Sequence, residues 1–421
     1  MSKNADRSAT TGNRATKLSR RDFQKLIGTF GLTATAGAIV SLSGQDVGVL
    51  NVAKAAEKAS EAEAKRAKYA KFRIRMGISG HTPTTNRLMP GGPYDFKRDL
   101  EARTEGAVIV ELHGGNSVCT ELDCIQKMLS GTINAGYSAT QNAAQTVPFM
   151  NVLDFPYLWP SMAAQYHFLY NKKGNDLFRE IMRKKYFTET LFSLNELRSV
   201  FLGRKWNNIE RISTPKQVAG AKVRVTGSAL GTLGLKEMGL APIPLNWSET
   251  LEGLKSGVVD GMETSSMPAA AFGMTKYIAH DVRLEFFPIF EMAYIDSRVF
   301  EKLPGSTQEA ILESAYFTQS QIQLKGLASL GSLIGALTEV PPADSVYARD
   351  QVRASVLTSA EKEAWVKLAS PRANPKPYDE WRKKLDGLAG RSGMYEAMYE
   401  AAREMPESAT LYDVEPRRWW T

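Results

Sequence analysis

The chain repeats a phrase. "GAVIVEL" at 106–112 and "GAKVRV" at 220–225 both set a Gly-Ala pair before alternating apolar positions. "MLSGTINAG" at 128–136 is answered by "LKSGVVDGM" at 254–262, each a helix end, a Ser-Gly break and a strand. Two matched pairs in the same order predict two lobes of similar build. Around the first pair the pattern fills in. "FRIRMGI" at 72–78 alternates Phe72, Ile74 and Met76 with Arg73 and Arg75, as a half-buried strand does. "PYDFKRDLEART" opens on Pro93 and spaces Phe96 and Leu100 four apart, a helix. "CTELDCIQKML" at 119–129 reads as a helix ending at Ser130-Gly131, and "INAGYS" as a strand. This βαβαβ run predicts α/β layers with a largely parallel sheet. Open α/β sheets hold ligands beyond the carboxyl ends of their strands, so two such lobes face to face would enclose a cleft.

A length of 421 residues is too great for one ordinary core and agrees with two lobes. The formal charge of +8 is a weak argument for nucleic acid, because eight basic residues and only three acids fall in residues 1–55. No basic stripe interleaved with aromatics follows residue 60, which argues against a nucleic-acid partner. The front reads as a leader: Arg20-Arg21, a Gly/Ala/Thr-rich apolar run from about Leu26 to Leu42, and small residues around Ala53-Lys54-Ala55. That order fits a twin-arginine export signal, and it places the protein in the periplasm. Residues 56–70 are rich in Ala, Lys and Glu and read as a solvated helical lead-in.

Export permits a disulfide between the two cysteines, Cys119 and Cys124. On a regular helix an i, i+5 pair diverges, so the alternatives are a bridged pair over a distorted first turn or two buried thiols. The histidines His81, His113, His167 and His280 are scattered without a ligand spacing, and no metal site or cofactor is expected, while a metal that bridges the ligand stays open. "GSALGTLG" at 227–234 follows a strand but lacks the spacing of a nucleotide loop. Asp260 and Glu263, three apart after a strand, are either an acid/base pair or a turn residue beside a partner for a pocket base; the second reading is preferred.

Arg224, between two valines, puts a guanidinium on a strand that is otherwise core-like, and Arg204 lies twenty residues earlier near the end of "SVFLGRKW". An arginine fork suits a carboxylate, and burying one without an anion is costly. Either arginine could equally pair with an internal acid. Trp206 and Trp247 are candidate pocket walls.

The order of "GAVIVEL", "DFPYLW", "VAGAKVRV", "GLAPIPLNWSETLEGLKSGVVDGMET" and "FEKLP" with "QEAI" resembles the periplasmic substrate-binding proteins of TRAP transporters, the DctP family. The resemblance runs from about 72 to 330. It implies an α/β, two-lobe periplasmic-binding-protein-like fold (type II-like) with crossing hinge strands and a long connecting helix. It further implies that Arg224 grips a carboxylate, that Arg204 is a second donor, and that Trp247 is the pocket aromatic. Thr264 stands where some members carry Asn, and Glu263 would orient ligand and arginines. Ser79, His81, Ser138, Thr140 and Gln141 are first-lobe polar candidates.

The expected division is a leader at 1–55, a lead-in at 56–71, a first lobe of 72–200 plus about 290–330, a second lobe of 201–289 plus about 331–395, and a tail of 396–421. The expected function is a non-enzymatic receptor that captures a small organic acid and passes it to the small and large membrane subunits of a permease. The C-terminal helices would cap the hinge or build a homodimer. The alternatives are an exported α/β enzyme using Asp260 and Glu263, and a periplasmic sensory receptor.

Overall fold

The structure, a computed structural model, describes residue 61 and residues 68–421. The expected leader and most of the lead-in lie outside the described residues. Residues 69–421 form one compact unit. No helix among the described residues is long and apolar enough to cross a membrane.

One nine-stranded sheet runs through this unit. In chain order its strands are β1 (Phe72–Ile78), β2 (Val108–His113), β3 (Ala135–Ala139), β4 (Thr188–Gly203), β5 (Lys222–Val225), β6 (Ala241–Pro244), β7 (Gly261–Thr264), β8 (Ile278–Asp296) and β9 (Arg353–Val356). Their spatial order is β2-β1-β3-β8-β4-β7-β5-β6, with β9 added beside β8. Three parallel strands flank each side: β1 pairs β2 and β3, and β5 pairs β6 and β7. Between them run two long antiparallel strands, β4 and β8, shared by both lobes. The repeated phrase is only half structural. The Ser-Gly pair marks β3 and β7, which hold equivalent places. "GAVIVEL" is an edge strand whereas "GAKVRV" is central, so the true counterpart of β5 is β1.

The central strands carry the hinge. Arg198 of β4 faces Phe287 of β8, but Val200 already faces Val282, so Arg283–Phe286 drop out of the ladder with β4. Glu285, in this bulge, has φ 49, and the Ser199 hydroxyl accepts its N–H. A bulge of this kind bends and twists a strand pair locally. It is pinned by charge: Arg283 and Lys362 both reach the Glu285 carboxylate, at 2.9 and 3.1 Å.

Local signals place the cleft-forming elements. The helix Trp247–Ser256 starts on a reciprocal cap between Asn246 and Glu249 and stops at Gly257, φ 74. The expected long helix is Gly305–Ala328, extended by a wider turn to Ile334. The cysteine segment differs from expectation. Thr120 and Asp123 make a turn, the helix begins only at Cys124, and Cys119 stays outside it. The two sulfurs are therefore close enough to bond, with Cα atoms 4.9 Å apart.

The C-terminal region departs from the expected division. Helices Asp379–Ala389 and Met394–Ala402 pack on the 155–186 segment: Lys185 and Tyr186 donate to the Ala389 and Leu388 carbonyls, and Tyr395 meets Phe155 edge-on. Trp419 sits over Arg179. Residues 379–421 thus wrap a part of the chain assigned to the first lobe, rather than ending lobe II at 395. Met394, Tyr395, Met398, Ala401 and Ala402 are buried within the chain.

Candidate functional site

Both lobes turn the carboxyl ends of their parallel strands toward one cleft. His81 follows β1, Asn142 follows β3, Thr226 follows β5, Trp247 follows β6, and Thr264 ends β7. Two adjoining cavities lie there. An inner one of about 40 Å³ is lined by His81, Glu121, Arg198, Arg224, Thr226, Trp247, Thr264, Phe272 and Glu291. An outer one of about 550 Å³ shares Glu121, Asn142, Arg224, Trp247 and Phe272 and opens past Asn116 and Gln145.

Arg224 is 1% exposed. Its Nε donates to the Leu245 carbonyl at 2.9 Å and Nη1 makes a long contact, 3.5 Å, to the Glu263 carbonyl. Its guanidinium carbon lies 5.2 Å from the centre of the Trp247 ring. Among the described residues no carboxylate forms an ion pair with it. Burial lowers its pKa to about 10, with Glu263 and Glu121 acting the other way. It therefore stays a cation at neutral pH, half-satisfied by carbonyls, in a cavity. Such a group is a ready anion site.

Arg198 is the second buried arginine of the cleft. Its Nε pairs with the Glu263 carboxylate, and Nη2 donates to Glu263 Oε2 at 3.0 Å and to the Glu263 carbonyl at 3.2 Å. Glu263 is completely buried. Its carboxylate is spent on Arg198, while its carbonyl touches both arginines. Glu263 thus stands behind the cavity and positions the arginines.

Opposite lies an acidic group with a histidine. His81 Nε2 is 3.2 Å from Glu291 Oε1. Glu121 accepts from the Ser79 hydroxyl, from the Ala139 N–H at 3.2 Å and from Asn142 Nδ2 at 3.4 Å. Burial first, then the Glu291 charge, push the Glu121 carboxyl up to about 7. Burial opposes charging His81, but the bond to Glu291 and the charges of Glu291 and Glu121 outweigh it and raise its pKa. Phe272 meets both His81 and Trp247 edge-on and joins the two sides.

Of the residues expected from sequence, Arg224, Trp247, Thr264 and His81 line the inner cavity. Ser79 supports Glu121 from behind. Ser138 bonds the Tyr294 hydroxyl at 2.7 Å, and Gln141 donates to Asp154 and to the Pro288 carbonyl, both at 2.9 Å. Thr140 is buried, its hydroxyl has no partner among the described residues, and it does not line the cleft. Arg204 and Trp206 belong elsewhere. They sit on a short turn after β4, where Arg204 donates to the Lys276, Asp350 and Gln351 carbonyls and so closes the end of the Val346–Asp350 helix. The Trp206 carbonyl meets His280 at 3.1 Å. Asp260 is likewise structural: it pairs with Lys205 at 2.5 Å and accepts the Lys222 N–H.

Sequence reading passed over Arg198, Glu121, Glu291, Asn142 and Phe272. Glu291 did carry a signal, a lone acid inside the apolar run "FFPIFEMAYI".

Residues 79–331 match the family of bacterial extracellular solute-binding proteins, family 7, DctP, and the chain belongs to that family. It is 26% identical over 223 residues to the 2,3-diketo-L-gulonate-binding periplasmic protein YiaO of Escherichia coli (strain K12), spanning 52% of this chain and 65% of that one. It is 24% identical over 220 residues to a solute-binding protein of Chromohalobacter salexigens, spanning 52% and 64%. The matches thus cover just under two thirds of these relatives' lengths. In fold it resembles the TRAP periplasmic solute-binding protein of Ralstonia eutropha H16 solved with (S)-2-acetolactate, at TM-score 0.64, 19% identity, and 79% and 99% of the two chains. It also resembles that of Anaerococcus prevotii solved with D-glucuronate, at TM-score 0.65, 16% identity, and 80% and 99% of the chains.

Proposed function

We propose that the protein is a periplasmic receptor of a TRAP-type transporter that closes on a small organic acid and delivers it to the membrane permease subunits. The observation that carries this reading is Arg224: buried, charged, unpaired with any acid among the described residues, and lining a cavity between two lobes. Its guanidinium takes the ligand carboxylate, Trp247 packs the ligand's apolar surface, and Thr264 contributes a hydroxyl. Glu263 acts on the ligand only through Arg198 and Arg224. Closure follows because a ligand touching both lobes favours the closed state by its differential affinity.

The relatives' ligands, among them 2,3-diketo-L-gulonate, acetolactate and glucuronate, support the class of ligand. The enzyme alternative loses its acid/base pair, since Glu263 is held by Arg198 and Asp260 by Lys205. Thermal-shift screening against a panel of keto, hydroxy, sugar and dicarboxylic acids tests the reading, because a bound ligand raises the melting temperature by mass action. A rise for one acid class that is lost in Arg224→Ala supports it. No rise for any acid, with neutral sugars or amines binding instead, overturns it.

A further inference from the structure

We infer that His81, Glu121 and Glu291 form a binding site for a first-row divalent cation, and that its open side faces Arg224, so that the acid is held as a metal chelate. One ligand-type atom from each of the three side chains lies within 4.8 Å of the other two. They come from three distant parts of the chain: the turn after β1, the loop bridged by the disulfide, and the middle of β8. His81 and Glu291 are buried and Glu121 is half-buried. Three donors on one face of an ion at about 2.1 Å stand about 3 Å apart. The 3.2 Å between His81 Nε2 and Glu291 Oε1 already meets that spacing. An imidazole with two carboxylates suits Mn²⁺ or Zn²⁺ better than the all-oxygen sites of Ca²⁺ or Mg²⁺.

The surroundings agree with this assignment. Glu121 is oriented by the Ser79 hydroxyl, the Ala139 N–H and the Asn142 amide, the kind of outer bonding that fixes metal ligands. Two carboxylates share this small space with one imidazole, and a divalent cation would neutralise them. A separate observation points to a guest in the same cavity. The Thr226 hydroxyl, on a residue 4% exposed that lines the inner cavity, has no hydrogen-bond partner among the described residues. An oxygen of an acid bound between the cation and Arg224 would supply one. The metal part stands on the tripod alone; the chelate part rests on the reading of the cleft as a carboxylate site.

The test uses the full chain, stripped with a chelator and titrated with MnCl₂ and ZnCl₂ by calorimetry, with Mn²⁺ also followed by paramagnetic resonance. The expected result is one saturable ion per chain, an affinity about tenfold or more weaker in His81→Ala and Glu291→Gln, and metal binding no weaker in Arg224→Ala, since that change removes a positive charge facing the cation. Circular dichroism and melting temperature check that the variants fold, and Glu291→Gln keeps shape if His81→Ala does not. No stoichiometric ion in the wild type up to about 1 mM, or binding indifferent to both variants, overturns the site. An acid bound equally well by stripped and loaded protein overturns the chelate. Amino acids bound by the stripped protein in place of their matched hydroxy acids, and lost in Glu291→Gln, would replace the metal with an organic cation. If no acid binds either form, the carboxylate reading fails while the metal titration still decides this site.

Discussion

Arg198 and Glu263 neutralise each other at the back of the cleft, Nη2 to Oε2 at 3.0 Å, and this leaves Arg224 as a buried cleft arginine with no acid partner among the described residues. The Glu263 carbonyl also touches both guanidinium groups. One acid therefore sets the geometry of two arginines while consuming the charge of only one.

The first consequence concerns affinity. Arg224→Ala should weaken acid binding by about 2–5 kcal/mol, the loss expected when a buried charged contact is truncated, with the circular dichroism spectrum unchanged. Arg224→Lys should recover only part, because an ammonium lacks the planar fork. Calorimetry with the best acid from the screen measures both, and equal affinity in wild type and Arg224→Ala would remove this residue from the site.

Glu263 and Arg204 should part company. Glu263→Gln leaves Arg198 charged and unpaired in the interior, so unfolding stability should fall by about 3–5 kcal/mol. Arg204→Ala should leave ligand affinity unchanged and lower the melting temperature only slightly, since Arg204 closes a helix end. Denaturant titration and calorimetry of the two variants separate these outcomes.

Trp247 should report occupancy. It lies over Arg224 and edge-on to Phe272 in the cavity wall. Acid binding should change tryptophan fluorescence in the wild type and not in Trp247→Phe, while affinity changes only a few-fold. Trp247→Ala should cost about 0.5–2 kcal/mol of binding, the range of a cation–π contact.

Stability should depend on pH through Asp154. Its carboxyl, buried beside Gln141 and Ser228, is pushed by that burial from the ordinary 3.8 up to about 7. The folded state therefore binds a proton that the unfolded state has released. The contribution is fully present below about pH 4 and is lost as pH rises through 7, at up to about 1.4 kcal/mol per unit. Asp154→Asn should flatten the fall in melting temperature across that window. Glu196 and Glu189, also raised to about 7 by burial, keep part of the slope. Glu285 acts in the opposite sense. Burial opposes its charge, but Arg283 and Lys362 hold its carboxyl at about 2, so its support is present above 4.5 and lost as pH falls toward 2.

The parallel strands, the long helix and Arg224 were legible because each leaves a local trace: alternation, a capped periodic run, a charge where a strand should be apolar. The acid–histidine group was not. His81, Glu121 and Glu291 have no shared spacing, and only the folding of three distant segments brings their donor atoms together. Arg204 was misplaced for a related reason. Its distance from Arg224 along the chain is the one the resemblance implied, but the turn after Gly203 points it at the carbonyls of Lys276, Asp350 and Gln351, and Arg198, six residues earlier, occupies the cleft instead. The doubled "GA" phrase misled too, since an edge strand and a central strand can share a pattern of alternation.

Glu121 sits inside the small ring closed by Cys119 and Cys124. Its position, and with it one wall of the pocket, is tied to the redox state of two sulfurs. In a reducing cytoplasm the thiols stay apart, and the loop carrying this acid keeps only its hydrogen bonds, the Thr120–Asp123 turn and the contacts of Glu121 with Ser79, Ala139 and Asn142. The stretch of pocket wall that carries Glu121 is thus covalently closed only where that bond persists, in oxidising surroundings.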